Sequence, residues 1–406
     1  MINVIGLGYI GLPTALMFAK NNVSVIGTDY NPSLVRKLNE GQITFDEKGL
    51  DELFHEALEN KISFSTEYQK ADIYIVAVPT PYEKENKRIN ASYVINATKQ
   101  ILEVCDKGAI IVIESTISPG TIDKYIKPLF INTKFKLGED IHIAHAPERI
   151  IPGNMIFELT NNSRTIGADD SVIGERVKKA YGSFCKGEII VTDIRTAEMS
   201  KVVENTYRDI NIAFANELAK ICHSDNLDVH EIIKIANMHP RVNILQPGPG
   251  VGGHCISVDP WFLVGDYPML ANLILQARKV NDSMPEFILD RIHQIMKENN
   301  IVDLDKVGLY GLTYKENVDD VRESPTLQLL ESMQIHLSKG LKVFDPCVKE
   351  QIVPMQYTDF NAFLSEVDLV VVMVPHQHIK DNISLLANKL VFDTKNALPL
   401  EKKVVL

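Results

Sequence analysis

A short apolar stretch that breaks into glycines and then runs into a helical pattern constrains this chain more than any other feature. Residues 3–13 read Asn3-Val4-Ile5-Gly6-Leu7-Gly8-Tyr9-Ile10-Gly11-Leu12-Pro13, and a helical stretch follows over residues 14–21. Strand, Gly-x-Gly-x-x-Gly and helix in that order open a βαβ unit whose glycines let a pyrophosphate approach the backbone and the helix N-terminus. Gly6, Gly8, Tyr9, Ile10 and Gly11 are therefore the expected dinucleotide cradle. The next strand, 23–28, ends at Asp29, close to the ~20-residue offset at which a carboxylate meets the adenosine ribose. With no arginine in the following Tyr30-Asn31-Pro32-Ser33, Asp29 would repel a 2′-phosphate and select NAD over NADP. Read alone, Asp29 could also do no more than cap the turn before Asn31-Pro32.

Further strand patterns at 73–78, 109–114 and 141–145 alternate with helical stretches such as 92–104, the rhythm of a parallel sheet. From 195 to about 224 Gly and Pro are absent, and Val202, Val203, Tyr207, Ile210, Phe214, Leu218 and Ile221 recur at helical spacing. One long helix is expected there, packed against its own domains or shared with a second subunit. The last hundred residues repeat the first domain in outline. Residues 306–312 resemble the opening strand and turn, 341–345 resemble the strand ending in Asp29, and 71–79 align with 367–375, each with an Asp seven residues before a Pro. The expected fold is α/β: two Rossmann-like doubly wound domains, residues 1–192 and 301–406, joined by a central helical domain, 193–300, with one long helix. A chain of 406 residues has room for more than one core. The second Rossmann-like unit lacks the full glycine fingerprint, so its phosphate-bearing ligand should be held differently.

The net charge of -11 argues against nucleic acid as a partner and offers an anionic substrate no general attraction. No apolar run nears the ~20 residues of a membrane span. The opening residues enter a strand without a basic and apolar leader, and the expectation is a cytoplasmic protein off the membrane. The five cysteines, Cys105, Cys185, Cys222, Cys255 and Cys347, are widely spaced and form no CxxC pair. That argues against a disulfide framework and a structural zinc site, so no metal is expected.

One cysteine has unusual surroundings. Four glycines crowd Gly248-Pro249-Gly250-Val251-Gly252-Gly253, followed by His254-Cys255-Ile256-Ser257-Val258-Asp259-Pro260. Such a run suits neither helix nor strand, but it suits a backbone that lies against a ligand and presents one side chain. Cysteines are by default inert and buried; the glycine loop, His254 and Asp259 are what point to a nucleophile at Cys255. Upstream, Glu198, Lys201, Asn205 and Arg208 share one face of the long helix. They could form a solvated charge stripe, yet an Asn one turn from a Lys is what a donor pair for an oxyanion would look like. Ala146-Pro147-Glu148-Arg149 after a strand, and Lys315 and Arg322 after the first strand of the last domain, lie where doubly wound folds bind ligands.

Taken together these residues resemble the UDP-glucose/GDP-mannose dehydrogenase family over essentially the whole chain. The matches are Gly6-x-Gly8-Tyr9-x-Gly11, Val78-Pro79-Thr80-Pro81, Glu114-Ser115-Thr116, Pro147-Glu148-Arg149, Glu204-Asn205, Gly252-Gly253-His254-Cys255 and Lys315-x-x-x-Asp319-Asp320-x-Arg322-Glu323-Ser324-Pro325. The resemblance implies an NAD domain, a central dimerisation and catalytic domain, and a UDP-sugar domain. Thr80, Thr116, Thr121 and Arg322 would join the glycine cradle in holding NAD. Arg149, Ile150, Lys201, Asn205, His239, Arg241, Gly250, Gly252, Tyr314 and Lys315 would meet the sugar nucleotide, with Arg241 able to come from a neighbouring subunit. At least a homodimer built on the long helix is implied. Residues 237–246 and 258–262 look most like the branch that oxidises UDP-N-acetyl-D-mannosamine. Val258, where the UDP-glucose branch commonly has Lys, and His254, which that branch commonly lacks, speak against UDP-glucose. UDP-N-acetylglucosamine and UDP-glucose stay open as substrates, whereas a single-hydride hydroxy-acid dehydrogenase would have no use for the cysteine loop. The implied reaction is a four-electron oxidation at C6 to the uronate through a thiohemiacetal and a thioester on Cys255. In it Lys201 is the acid/base and oxyanion partner, Asn205 the second donor, and Asp259 with Glu148 position water.

Overall fold

The computed structural model describes residues 1–253, 255–335 and 340–406, and the chain divides into two compact units, residues 1–204 and 205–406. The first unit holds β1 (Ile2–Ile5), α1 (Gly11–Lys20), β2 (Val25–Thr28), α2 (Pro32–Asn39), α3 (Leu50–Leu58), β3 (Ile62–Ser65) and β4 (Ile73–Val76). There follow α4 (Ser92–Val104), β5 (Ile110–Ile113), β6 (His142–His145), α5 (Met155–Asn161), β7 (Arg164–Ala168), α6 (Ser171–Tyr181) and β8 (Ile189–Thr192). The strands form one sheet in the order β3-β2-β1-β4-β5-β6-β7-β8. Every pairing is parallel except β6 with β7. β1 is buried at every position, and Leu12, Leu16 and Phe18 of α1 share its core with Val4, Val25 and Ile75. Each such side chain withdrawn from water contributes about 1.5–3 kcal/mol. The reversal at β7 is invisible to hydrophobic rhythm, because a fully buried strand is apolar whichever way it runs. Past β5, Thr121 leads into one π-helical turn, Ile122–Ile126, an element no sequence periodicity announced.

α7 (Ile194–Ser224) runs through the division between the units. In the second unit α8 (Val229–Ala236), α9 (Asp259–Asp266), α10 (Asn272–Asp282) and α11 (Met284–Glu298) precede a second sheet. Its elements are β9 (Val307–Tyr310), α12 (Pro325–Ile335), β10 (Lys342–Phe344), β11 (Gln356–Tyr357), α13 (Phe360–Glu366), β12 (Leu369–Val372), α14 (Gln377–Asp381), β13 (Leu390–Asp393) and β14 (Val404–Val405). The order β11-β10-β9-β12-β13-β14 repeats the winding of the first sheet, with every pairing parallel. The internal repeat extends to individual bonds. The Asp72 amide donates to the Met1 carbonyl at 3.0 Å and the Asp368 amide to the Lys306 carbonyl at 2.7 Å. Asp29 Oδ2 accepts the Leu7 amide at 2.9 Å, and Asp345 Oδ2 accepts the Leu312 amide at 2.6 Å.

Of the apolar residues at helical spacing on α7, Val202 is buried, whereas Val203, Tyr207, Phe214 and Ile221 are exposed. No helix among the described residues is long and apolar enough to cross a membrane.

Candidate active site

The glycine cradle in the first unit is built by close approach. Gly6 has φ +89°, and a Cβ there would stand 2.6 Å from the Ala77 carbonyl oxygen; one on Gly11 would stand 1.8 Å from the Gly6 oxygen. Only hydrogen fits at either position. A Cβ on Gly8 would meet no neighbour within 4 Å among the described residues, which is the open approach to a helix N-terminus that a pyrophosphate needs. Asp29 also accepts the Asn31 amide, at 2.9 Å, so it does cap the turn after β2. Its oxygens carry further lone pairs, and the ribose role remains chemically available to it. The Thr80 hydroxyl donates to the Thr116 carbonyl at 2.6 Å, and Ser115 Oγ donates to the Val78 carbonyl at 2.6 Å. The two threonine loops after β4 and β5 are thus tied to each other. Thr121 is buried at the start of the π-helical turn. These residues fit a dinucleotide.

The predicted charge face of α7 is not a solvated stripe. Glu198, Lys201 and Asn205 are buried, and Arg208 alone of the four is exposed. Glu198 acts as a structural clamp, since its carboxylate accepts the Gly120 and Ile122 amides ahead of the π-helical turn. Burial outweighs these bonds and pushes its carboxyl up to about 7. Glu148 follows β6 and is buried. Its neighbour Arg149 donates to Thr165 Oγ1 at 3.0 Å and pairs with Glu204 at 2.6 Å. The Ile150 side chain belongs to the core of this unit, which leaves only its backbone to a ligand.

In the second unit the glycine loop lies against the loop after β9. A Cβ on Gly252 would stand 2.5 Å from the Glu323 carbonyl oxygen, and one on Gly253, where φ is +85°, would stand 2.8 Å from the Tyr314 ring. The Gly253 amide donates to the Arg322 carbonyl at 2.9 Å. Gly250 packs on Pro325 and Pro285. Cys255, Tyr314, Lys315 and Arg322 are thus on two loops in contact, with the Arg322 guanidinium folded back onto Asp320. His254 lies outside the described residues. The Cys255 carbonyl accepts the amides of Val258 and Asp259 at 3.1 and 2.9 Å, which sets the cysteine one turn ahead of α9. Cys255 is exposed, Cys105, Cys185 and Cys222 are buried, and Cys347 is half-buried. Asn205 Nδ2 donates to Asp259 Oδ2 at 2.6 Å, joining two predicted residues directly. His239 and Arg241 are not brought to this cluster. They stand exposed on a loop closed by Asn237, whose amide group bonds both backbone groups of Ile244 at 2.7 and 2.9 Å.

Several residues of these sites escaped the sequence reading. Asn216 of α7 accepts the Gly248 amide at 2.9 Å and donates its own Nδ2 to Asn281 Oδ1, while Asn281 Nδ2 donates to Asp209 beside a buried Arg278–Asp209 pair. Lys395, past β13, approaches Gly248, and burial pushes its ammonium down. Arg164 and Tyr181 share the Glu114 carboxylate. One cluster of ligand-type side chains, Asp345, Cys347 and His376, exists among the described residues. Asp345 pairs with Nε2 of the ring at 3.1 Å, while Cys347 lies at Nδ1, which accepts the Asn317 amide at 2.9 Å. With Asp and Cys at different ring nitrogens, the cluster is a clamp between loops rather than a cage for one ion.

Three domain models of one family match successive parts of the chain. Residues 1–185 match the NAD binding domain of the UDP-glucose/GDP-mannose dehydrogenase family, 195–283 its central domain and 308–399 its UDP binding domain. The chain is 42% identical to UDP-N-acetyl-D-mannosamine dehydrogenase of Methanocaldococcus jannaschii, over 98% of this chain and 93% of that protein. It is 41% identical to NDP-N-acetyl-D-galactosaminuronic acid dehydrogenase of Ralstonia nicotianae, over 97% of this chain and 95% of that protein. The solved UDP-N-acetyl-mannosamine dehydrogenase of Staphylococcus aureus superposes with a TM-score of 0.89 at 42% identity, covering 100% of this chain and 97% of that one. With the glycine cradle, the cysteine loop and the repeated sheet already accounted for, the chain belongs to the UDP-glucose/GDP-mannose dehydrogenase family.

Proposed function

We propose that this chain oxidises UDP-N-acetyl-D-mannosamine at C6 to UDP-N-acetyl-D-mannosaminuronate, with NAD, as a cytoplasmic homodimer or higher homo-oligomer. The observation that carries the covalent half of the reaction is the exposure of Cys255 at the head of α9, on a loop only glycine could build. NAD supplies hydride acceptance, twice per sugar. Lys201 takes the C6 hydroxyl proton and faces the developing oxyanion, with Asn205 as second donor. The one hydrogen on the aldehyde carbon cannot leave as hydride until the Cys255 thiolate adds to that carbon, converting the C=O bond to the alkoxide of a tetrahedral thiohemiacetal that can expel it. Loss of the second hydride leaves a thioester. Water held by Asp259 and Glu148 adds to the acyl carbon, the C–S bond breaks, Cys255 departs as thiolate, and the carboxylate forms with release of the water protons. Arg149, Tyr314 and Lys315 bind the sugar nucleotide, and His239 and Arg241, exposed on their own subunit, complete the site of a neighbouring one.

The names of the archaeal and staphylococcal relatives favour the mannosamine sugar; the Ralstonia relative favours an N-acetylgalactosamine-type sugar as the second reading. Purified protein is to be offered NAD with UDP-N-acetylmannosamine, UDP-N-acetylgalactosamine, UDP-N-acetylglucosamine and UDP-glucose in turn. Two NADH per sugar and a kcat/KM at least about tenfold higher for the mannosamine sugar are expected. Preference for another sugar moves the substrate; one NADH per sugar removes the four-electron reaction.

A further inference from the structure

Glu148 is a water-positioning carboxylate in the function proposed above, and the inference that follows rests on that reading. Such a group works only if its oxygens are held in one orientation, because small displacements of a positioned reactant cost large factors in rate. One oxygen, Oε1, accepts the adjacent Arg149 amide at 2.7 Å. The other, Oε2, accepts from Nη2 of Arg164. Arg164 is 3% exposed, so it is withdrawn from any ligand in solution. Its Nη1 donates to Glu114 Oε1 at 3.2 Å, which also accepts the Tyr181 hydroxyl at 2.9 Å. The Tyr181 ring lies 4.1 Å beneath the guanidinium. The guanidinium therefore has one arm on Glu148 and the other locked to a fully buried carboxylate and a tyrosine.

Sheet topology puts it there. β6 and β7 pair antiparallel with Ala144 opposite Ala168 and His145 opposite Gly167. The same register carried onward sets residue 148 opposite residue 164. A parallel β7 would have sent the start of that strand to the far end of the sheet. The single reversed pairing in the sheet thus delivers a charged fork to the loop after β6, and Arg rather than Lys suits the place because only a planar fork spans two carboxylates.

We propose that Arg164 and Glu114 are positioning residues for Glu148: Arg164 orients the Glu148 carboxylate for thioester hydrolysis, and Glu114 with Tyr181 fixes Arg164. Replacing the guanidinium leaves both hydride transfers intact and slows the release of acid from Cys255.

The test uses the full chain with NAD and whichever UDP-sugar it turns over. Arg164→Met alone would strand two buried carboxylates and could prevent folding. Arg164→Lys and the double variant Glu114→Gln/Arg164→Met, which leaves no unpaired charge at position 114, are therefore compared with wild type. Rapid-quench NADH formation, intact-protein mass and steady-state uronate release are measured, with thermal unfolding alongside. Both variants are expected to form two NADH per site in the first turnover and then stall. An acyl adduct should accumulate on Cys255, and uronate release should fall about tenfold or more. KM for both substrates should stay within about twofold, as expected for a group not used in binding. Uronate release at the wild-type rate without an adduct overturns the proposal. So does an equal slowing of both hydride steps with a lowered melting temperature, the signature of a purely structural ion pair. Glu148→Gln separates the two levels. If that variant also releases acid at the wild-type rate, the role of Glu148 itself fails; if it stalls while the Arg164 variants do not, only the present inference fails.

Discussion

Cys255 stands one turn ahead of α9, its carbonyl taking the Val258 and Asp259 amides and its side chain exposed. Cys255→Ser keeps the shape and exchanges a soft, acidic nucleophile for a poor one. Uronate formation should fall roughly a thousandfold or more while UDP-sugar binding stays near wild type. Single-turnover NADH and the intact mass check this; wild-type uronate production without any adduct would remove the covalent mechanism. Lys201→Ala should instead slow the first hydride transfer, by about 3 kcal/mol, as for loss of an oxyanion partner. A variant whose first NADH appears at the wild-type rate would take Lys201 out of that step. Glu114 makes a third prediction. Burial pushes its carboxyl from 4.5 to about 7, against the pull of Arg164. Between those values the folded protein binds more protons than the unfolded chain, so this group's contribution is complete below about pH 4.5 and is lost as pH rises through about 7. Glu114→Gln should therefore raise the melting temperature by several degrees at pH 8, a gain that shrinks toward pH 5. Melting curves at the two pH values decide it, and a gain equal at both would refute the buried titration.

At the scale of an element, the segment between β5 and its π-helical turn is held by α7 as well as by the loop after β4 and its own local bonds. Glu198 takes the Gly120 and Ile122 amides, and Arg195 lies 3.1 Å from where a Gly120 side chain would begin. Two hydrogen bonds of this kind are worth about 1–3 kcal/mol together. Glu198→Ala should loosen the loop that carries Thr116 and Thr121 and weaken NAD binding about tenfold, measured by titration of the purified variant. Unchanged NAD affinity would show that this tie plays no part in holding the cofactor. The glycine loop before Cys255 is fixed in the same way, from outside: Asn216 of α7 holds the Gly248 amide, and the Arg322 carbonyl holds Gly253. The cysteine loop is legible in sequence as glycine-rich and ligand-facing, and the loop after β5 is legible through the family resemblance at Thr116 and Thr121. What holds them is not legible, since the partners are 78 and 32 residues away for Gly120 and Gly248.

For the molecule as a whole, the exposed apolar side chains of α7 bear on assembly. Val203, Tyr207, Phe214 and Ile221 fall at intervals close to one or two helical turns and meet water in the single chain. Tyr207→Glu/Phe214→Glu should convert the proposed dimer to monomer, read by light scattering after size exclusion, with the circular dichroism spectrum preserved. An assembly of unchanged mass would place the subunit contact elsewhere. The sequence by itself determined the two βαβ repeats, the glycine cradle with Asp29, the long helix and the cysteine loop. Each follows from backbone requirements and side-chain periods expressed over a few neighbouring residues, where glycine and apolar spacing are direct signals. Only the tertiary structure decided that Glu198 clamps a loop rather than facing solvent. It also turned Ile150 into the core and set Arg164 across from Glu148. Those outcomes depend on strand direction and register. A fully buried strand shows the same apolar run in either direction, so the pattern that reveals a strand does not say which distant residue will stand opposite it.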